Sequence, residues 1–157
     1  MNKSIFAFIA LAIILTSARY IAPSDGRVGY QAPNMTLSNG DNQVSLQDLR
    51  GNYVVVNFWS SALPASRLAN KQLAAAAGQR DNVVYLAVNL DRSQGLFDQI
   101  IALDNIDIKS QYYVSLDEQE RIMNMWHQQP ESLGSFLINP NGKIIQLNPS
   151  LEDLAAI

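Results

Sequence analysis

Ser66 and His127 are the nucleophile and the base whose types could make a catalytic pair. Ser66 stands at the head of a run of strong helix formers, and His127 is the single histidine. A serine attacks only when a base lies in reach and a third group orients that base. His127 follows Trp126 at the end of a predicted helix, and no spacing ties it to Ser66. The plainer expectations are a capping or exposed hydroxyl for Ser66 and a helix-terminal charge for His127, favourable with the dipole when protonated. Cysteine is absent from all 157 residues. That count removes disulfides, thiol catalysis, thiolate metal sites and a lipidated cysteine in one step.

The carboxylates form no ligand pattern. Asp91 and Asp98 are seven apart, and capping and solubility are their expected jobs. Asp104 and Asp107 flank a turn without the oxygen ladder and glycine of a calcium loop. Asp117, Glu118 and Glu120 suit the first turn of a helix. With one histidine and no clustered acids, neither a metal nor a cofactor is expected. The net charge of −3 carries no basic stripe, which speaks against nucleic acid as a partner.

The elements that must position these residues follow from periodicity. Tyr53–Trp59 (YVVVNFW) is β-branched and aromatic throughout, apolar on both faces, and too short for a helix, which suits a central strand. Ser60 and Ser61 break the run. Pro64 fits the first turn of the helix that follows, where its missing N–H has no partner in any case. Gly78 offers a stop. Asn82–Leu90 repeats the strand signature, Gln94–Leu103 has helical apolar spacing, and Tyr112–Leu116 reads as a short strand. Asp117–Trp126 reads as a helix, Ser135–Ile138 and Lys143–Leu147 as a hairpin around Asn139–Gly142, and Pro149–Ile157 as a closing helix. Before all of these, Asn39–Gly40 between short alternating segments predicts another hairpin.

Asn57-Phe-Trp-Ser-Ser-Ala-Leu-Pro-Ala-Ser-Arg67 resembles the active-site segment of TlpA/ResA-type thioredoxin-like proteins, N-F-W-A-S-W-C-P-P-C-R. In that register Leu63 and Ser66 take the two cysteine columns, Pro64 keeps its place, Ala65 replaces a proline, and Arg67 keeps the arginine. Ala32–Asn52 resembles the family's opening pattern, which peroxiredoxins share, with Met35 in the phenylalanine column and Asn52 in the lysine column. Leu133-Gly-Ser-Phe-Leu-Ile-Asn-Pro-Asn-Gly-Lys143 resembles P-T-S-F-L-I-D-P-N-G-K, so Leu133 takes the cis-proline column and Gly134 the threonine. Pro130 lies three residues earlier, and the register of Ser135 and Phe136 disfavours it as a replacement.

The resemblance covers about residues 28–157 and implies an α/β, thioredoxin-like fold. Its central mixed sheet would carry helices on both faces and an N-terminal β-hairpin extension. It further implies strands 54–59 and 83–89 adjacent and parallel, joined by a right-handed crossover. It places Leu63, Pro64 and Leu133 in mutual contact around a groove with Trp59, Ser66 and Gly134, with Trp59 as core or groove wall. Thiol–disulfide exchange needs a thiolate to attack and a second thiol to resolve the mixed disulfide. Leucine and serine supply neither.

Ahead of this domain, Lys3 and the apolar run Ile5–Leu15 suit a signal peptide or an uncleaved anchor over residues 1–18, with residues 19–27 as a linker. The expectation is an extracytoplasmic protein of the periplasm or cell envelope, secreted or tethered through its N-terminus, that has lost redox activity. It leans away from an enzyme and towards a non-covalent binder of a protein or peptide partner. The alternative is an oxidoreductase or peroxiredoxin-type antioxidant by family membership. A degenerating copy is the third reading.

Overall fold

The computed structural model describes residues 23–40 and 42–157. The leader or anchor expected over residues 1–18 lies outside them, as do residues 19–22 of the expected linker.

Thr36–Asn39 (β1) and Asn42–Ser45 (β2) form the predicted N-terminal hairpin, a two-stranded antiparallel sheet of its own. The main sheet contains Tyr53–Trp59 (β3), Val83–Asn89 (β4), Gln111–Tyr113 (β5), Ser135–Ile138 (β6) and Ile144–Leu147 (β7) in the order β5-β4-β3-β6-β7. β3 and β4 are adjacent and parallel, with Tyr53 opposite Val83 and Trp59 opposite Asn89. β5 is parallel to β4, whereas β6 and β7 run antiparallel, so the sheet is mixed. The central strand is the one whose sequence was apolar on both sides, and every residue from Val54 to Trp59 is buried.

Alternation along β3 sorts its side chains to two faces. Val54, Val56 and Phe58 join Leu86, Val88, Phe136, Ile138 and Ile144 on one face, under Ile122 and Trp126 and the β1–β2 hairpin residue Leu37. Val55 and Trp59 join Tyr85, Ala87 and Leu137 on the other, under Leu73, Ala77, Phe97, Ile101 and Leu154. Among the described residues four helices supply the cover: Pro64–Ala77 (α1), Gln94–Asp104 (α2), Leu116–Met125 (α3) and Leu151–Ala155 (α4). Fully burying such apolar side chains contributes about 1.5–3 kcal/mol each. Edge-to-face aromatic packing reinforces the first face, with the Trp126 and Phe136 ring centroids 4.9 Å apart.

Element boundaries differ from expectation where side-chain capping decides them. The closing helix shortens to α4 because Ser150 and Asp153 form a capping box, which starts the helix two residues after Pro149. The expected strand 112–116 becomes the three-residue β5, and Leu116 opens α3 instead. Residues 24–27 are no free linker. Ser24 bridges Gln31, and Gly26 is buried. Gly29 donates to the Ile144 carbonyl at 2.9 Å and Ile144 donates to Tyr30 at 3.0 Å, which fastens this segment along the outer side of β7.

Candidate functional site

At the carboxyl end of β3 the chain makes a tight turn and enters α1. Leu63 is the N-cap, contributes no side-chain hydrogen bond, and is followed by Pro64 at the first helical position. Pro64 and Ala65 are exposed and Leu63 is half-buried, so the segment in the dithiol columns still presents itself to solvent.

Ser66 does not. It is buried, its hydroxyl accepts the Ser60 N–H at 3.1 Å, and it donates to the Leu63 carbonyl at 2.9 Å, with the Ser60 carbonyl at 3.1 Å. It is neither the exposed residue nor the end cap expected; it staples the turn to the first helical turn from inside. A hydroxyl whose proton is held by backbone carbonyls has no base to give it to. His127 is engaged elsewhere, its Nε2 lying 2.8 Å from Asp25 Oδ1. It also lies two residues beyond α3, in the left-handed region at φ 51°, rather than within the helix. The Ser66–His127 pair therefore has no structural basis.

The turn is held from below by Asp91, which the sequence reading assigned to capping and solubility. Asp91 is 2% exposed. Its Oδ1 accepts from Ser60 Oγ at 2.7 Å, Ser61 N–H at 2.8 Å and Ser61 Oγ at 3.0 Å, and its Oδ2 accepts from Asn89 Nδ2 at 3.0 Å. Asn89 Oδ1 in turn accepts the Asp91 N–H, and Gln119 of α3 donates to the Asp91 carbonyl at 3.0 Å. Every side-chain partner is a donor, the arrangement that compensates a buried carboxylate without a cation. Ser60, Ser61, Asn89 and Gln119 were likewise not expected around it. The available signal was positional: Asp91 stands just past the carboxyl end of a strand parallel to β3, where loop residues of neighbouring strands converge.

Arg67, expected as a solvated helix charge, is clamped to Asp104 at the end of α2. Its Nε and Nη2 each lie 2.6 Å from a carboxylate oxygen, a two-pronged pair between helices. The Arg67 guanidinium holds the Asp104 carboxyl below its usual range. Asp107 accepts the Lys109 N–H at 3.0 Å and caps a short 3-10 turn. Among the described residues no group of three His, Asp or Glu could hold a metal.

The facing loop carries Leu133 and Gly134. Leu133 is half-buried and packs on the cluster containing Trp126, while Leu63 joins neither core cluster. Gly134 accepts the Phe58 N–H through its carbonyl at 3.0 Å and donates its N–H to Gln128 Oε1 at 2.8 Å. A Cβ at Gly134 would come within 2.8 Å of Asn148 Oδ1, and that oxygen already accepts the Ser135 N–H. Asn148 thus occupies the space that the family's threonine would need. Trp59 is fully buried against Phe97, so it belongs to the core and lines no groove. A cleft of about 210 Å3 runs beside Leu133 and Gly134, bounded by Gly26, Arg27, His127 and Leu147. A larger cleft of about 620 Å3 lies between the second half of α1 and the chain from Asp104 to Ser110, and includes no residue of the β3–α1 turn or of the Leu133–Gly134 loop.

The backbone is similar to that of a thioredoxin-like protein from Parabacteroides distasonis. The TM-score is 0.72 at 24% identity, over 85% of this chain and 95% of that one. It is equally similar to the thioredoxin domain of a thiol-disulfide oxidoreductase from Bacteroides vulgatus (TM-score 0.72, 23% identity, 83% and 94% covered). StoA from Bacillus subtilis follows at 0.62 and 20%, over 79% and 95%. At these identities the likeness establishes the thioredoxin-like fold. No curated protein sequence matches the chain. The AhpC/TSA family profile matches residues 28–147, and the chain belongs to that family, as a thioredoxin-like member without the cysteines of the dithiol motif.

Proposed function

We propose that this protein is a redox-inactive, extracytoplasmic binding module that takes an extended segment of a partner protein, without covalent capture, on the surface made by the start of α1 and the Leu133–Gly134 loop. One observation carries the reading. Where the family holds its dithiol, Leu63, Pro64 and Ala65 keep the frame and remain at least partly accessible, while Ser66 is sealed into the turn. A site that had simply been converted to core would have buried Leu63 as well. The apolar run Ile5–Leu15 behind Lys3 supports export and an N-terminal tether.

The names of the structural relatives favour the other reading, a thiol–disulfide oxidoreductase. With no thiolate there is no nucleophile and no mixed disulfide, so the purified protein is expected to leave insulin disulfides unreduced. The binding reading is tested by titrating extended peptides with a central apolar residue and following amide shifts by NMR. Shifts should concentrate at Leu63, Ala65, Leu133 and Gly134 and vanish in Leu63→Asp. Shifts spread over other surfaces, or unchanged in that variant, would count against it.

A further inference from the structure

The loop that carries Leu133 and Gly134 is connected, bond by bond, to the segment through which the chain enters the domain. Asp25 Oδ1 meets His127 Nε2 at 2.8 Å across 102 positions of sequence. Arg27 grips the same carboxylate from its own loop, at 3.0 Å and 2.7 Å, and lies over the Tyr30 ring at 4.8 Å. Between them Gly26 sits on the end of α3 so closely that a Cβ would fall 2.6 Å from the Trp126 Cα, so this seat admits glycine alone. The Arg27 guanidinium, and more weakly His127, keep the Asp25 carboxyl below its usual range, which leaves it charged at neutral pH.

His127 is the first link onward. Its left-handed backbone, uncommon for a residue with a side chain, sends the chain from the end of α3 into Gln128. Gln128 is buried; its Nε2 donates to the Trp126 carbonyl at 2.9 Å and its Oε1 accepts the Gly134 N–H at 2.8 Å. Gly134 then accepts from Phe58 on β3. The contacts from Asp25 to Phe58 are continuous, and the 210 Å3 cleft lies alongside them.

We propose that the Asp25–His127 contact is a latch that regulates the candidate recognition loop: closed, it holds His127 in the turn that keeps Gln128 on Gly134, and released, it frees that loop. A change at Asp25 reaches Gly134 through His127 and Gln128. The His127 side chain is 55% exposed and that of Asp25 21%, and a solvent-reached pair of this kind contributes only modestly, so a regulator of modest affinity can open it. The consequence for a partner rests on the binding reading above. The coupling itself does not.

Hydrogen exchange on the full chain, with no peptide present, tests the coupling. In Asp25→Ala, amide exchange at Gly134 and Phe58 should rise about two- to fivefold, the range expected for losing one such pair. Leu86 and Val88 in β4 should be unchanged. His127→Gly, which keeps the left-handed turn free of strain but removes the imidazole, should rise to a similar extent. Faster exchange at Gly29 and Ile144 with Gly134 unaltered would overturn the proposal, as would a uniform rise that includes Leu86 and Val88. Because the readout needs no ligand, failure of peptide binding and failure of the latch remain separate results.

Discussion

Two clusters of buried polar side chains flank α1, one beneath its middle and one beneath its threshold. The inner cluster is neutral. Tyr85 donates to Asn70 Oδ1 at 2.7 Å, Asn70 donates to Gln111 Oε1 at 3.0 Å, and Gln111 approaches Asn70 Oδ1 in return at 3.3 Å. Burial pushes the Tyr85 hydroxyl far above its ordinary range, so it stays a neutral donor. The threshold cluster is anionic, with Asp91 at its centre and only donors around it. The inner cluster ties α1 to β4 through the Tyr85 hydroxyl and to β5 through reciprocal amide bonds, which any helix packed on a sheet could use. The threshold cluster instead fixes a loop at the end of the sheet where the family's chemistry would sit. With leucine and serine in the cysteine columns the loop is still held by Asp91, and this contrast teaches that the support of the loop needs no thiol.

The sharpest way to break the contrast is Asp91→Ala. It strands the Ser61 and Asn89 donors in a buried site, and the expected loss is about 3 kcal/mol of unfolding free energy, read by urea denaturation. Asp91→Asn keeps the shape and should cost about 1 kcal/mol, which separates charge from geometry. A smaller loss for the alanine variant than for the asparagine one would mean that the carboxylate supports nothing.

Next in size is the leucine pair. Leu133 packs on the Trp126 cluster, so Leu133→Ser should cost about 1–2 kcal/mol, whereas Leu63→Ser should cost less than about 1 kcal/mol. Equal losses above about 2 kcal/mol would place both leucines in the core and remove the accessible surface on which binding depends. Tyr85→Phe sharpens the other side of the comparison. It removes one hydroxyl from the neutral cluster, and Asn70 Oδ1 keeps Gln111, so the loss should be about 1 kcal/mol.

The smallest effect belongs to Arg67 and Asp104, outside both clusters. The Asp104 carboxyl is depressed in the folded protein by the Arg67 hydrogen bonds. Its contribution is therefore fully present above the unfolded value near 3.9 and lost as pH falls through the lower folded value. The stability difference between the wild type and Arg67→Met should be constant from pH 5 to 7 and shrink below about pH 4. A difference that persists to the lowest pH at which the protein folds would assign it to packing of the arginine stem instead.

Much of the architecture was legible because it rests on local patterns. β-branched runs marked β3 and β4, Asn39–Gly40 and Asn141–Gly142 marked two hairpins, and Pro64 marked the start of α1. The candidate site was legible only in outline. Leu63, Pro64, Leu133 and Gly134 could be placed by resemblance, but Ser66 was expected as a capping or exposed hydroxyl and Trp59 as either core or groove wall. Whether a side chain at a strand or helix end turns inward depends on what the neighbouring strand brings beside it, and no local pattern records that.

The sequence by itself determined that none of the 157 residues carries a thiol, since a side chain absent from the sequence cannot be supplied by folding. It also determined the central strand, whose apolar residues on both faces can be satisfied only between two layers. Tertiary structure alone decided that Asp91 is buried beneath Ser60 and Ser61, that Arg67 meets Asp104, and that Asp25 meets His127. Those partners lie 31, 37 and 102 positions apart, and they meet only because strand register and helix placement bring them together. Polar contacts of such range are set by the packing of the apolar elements that carry them.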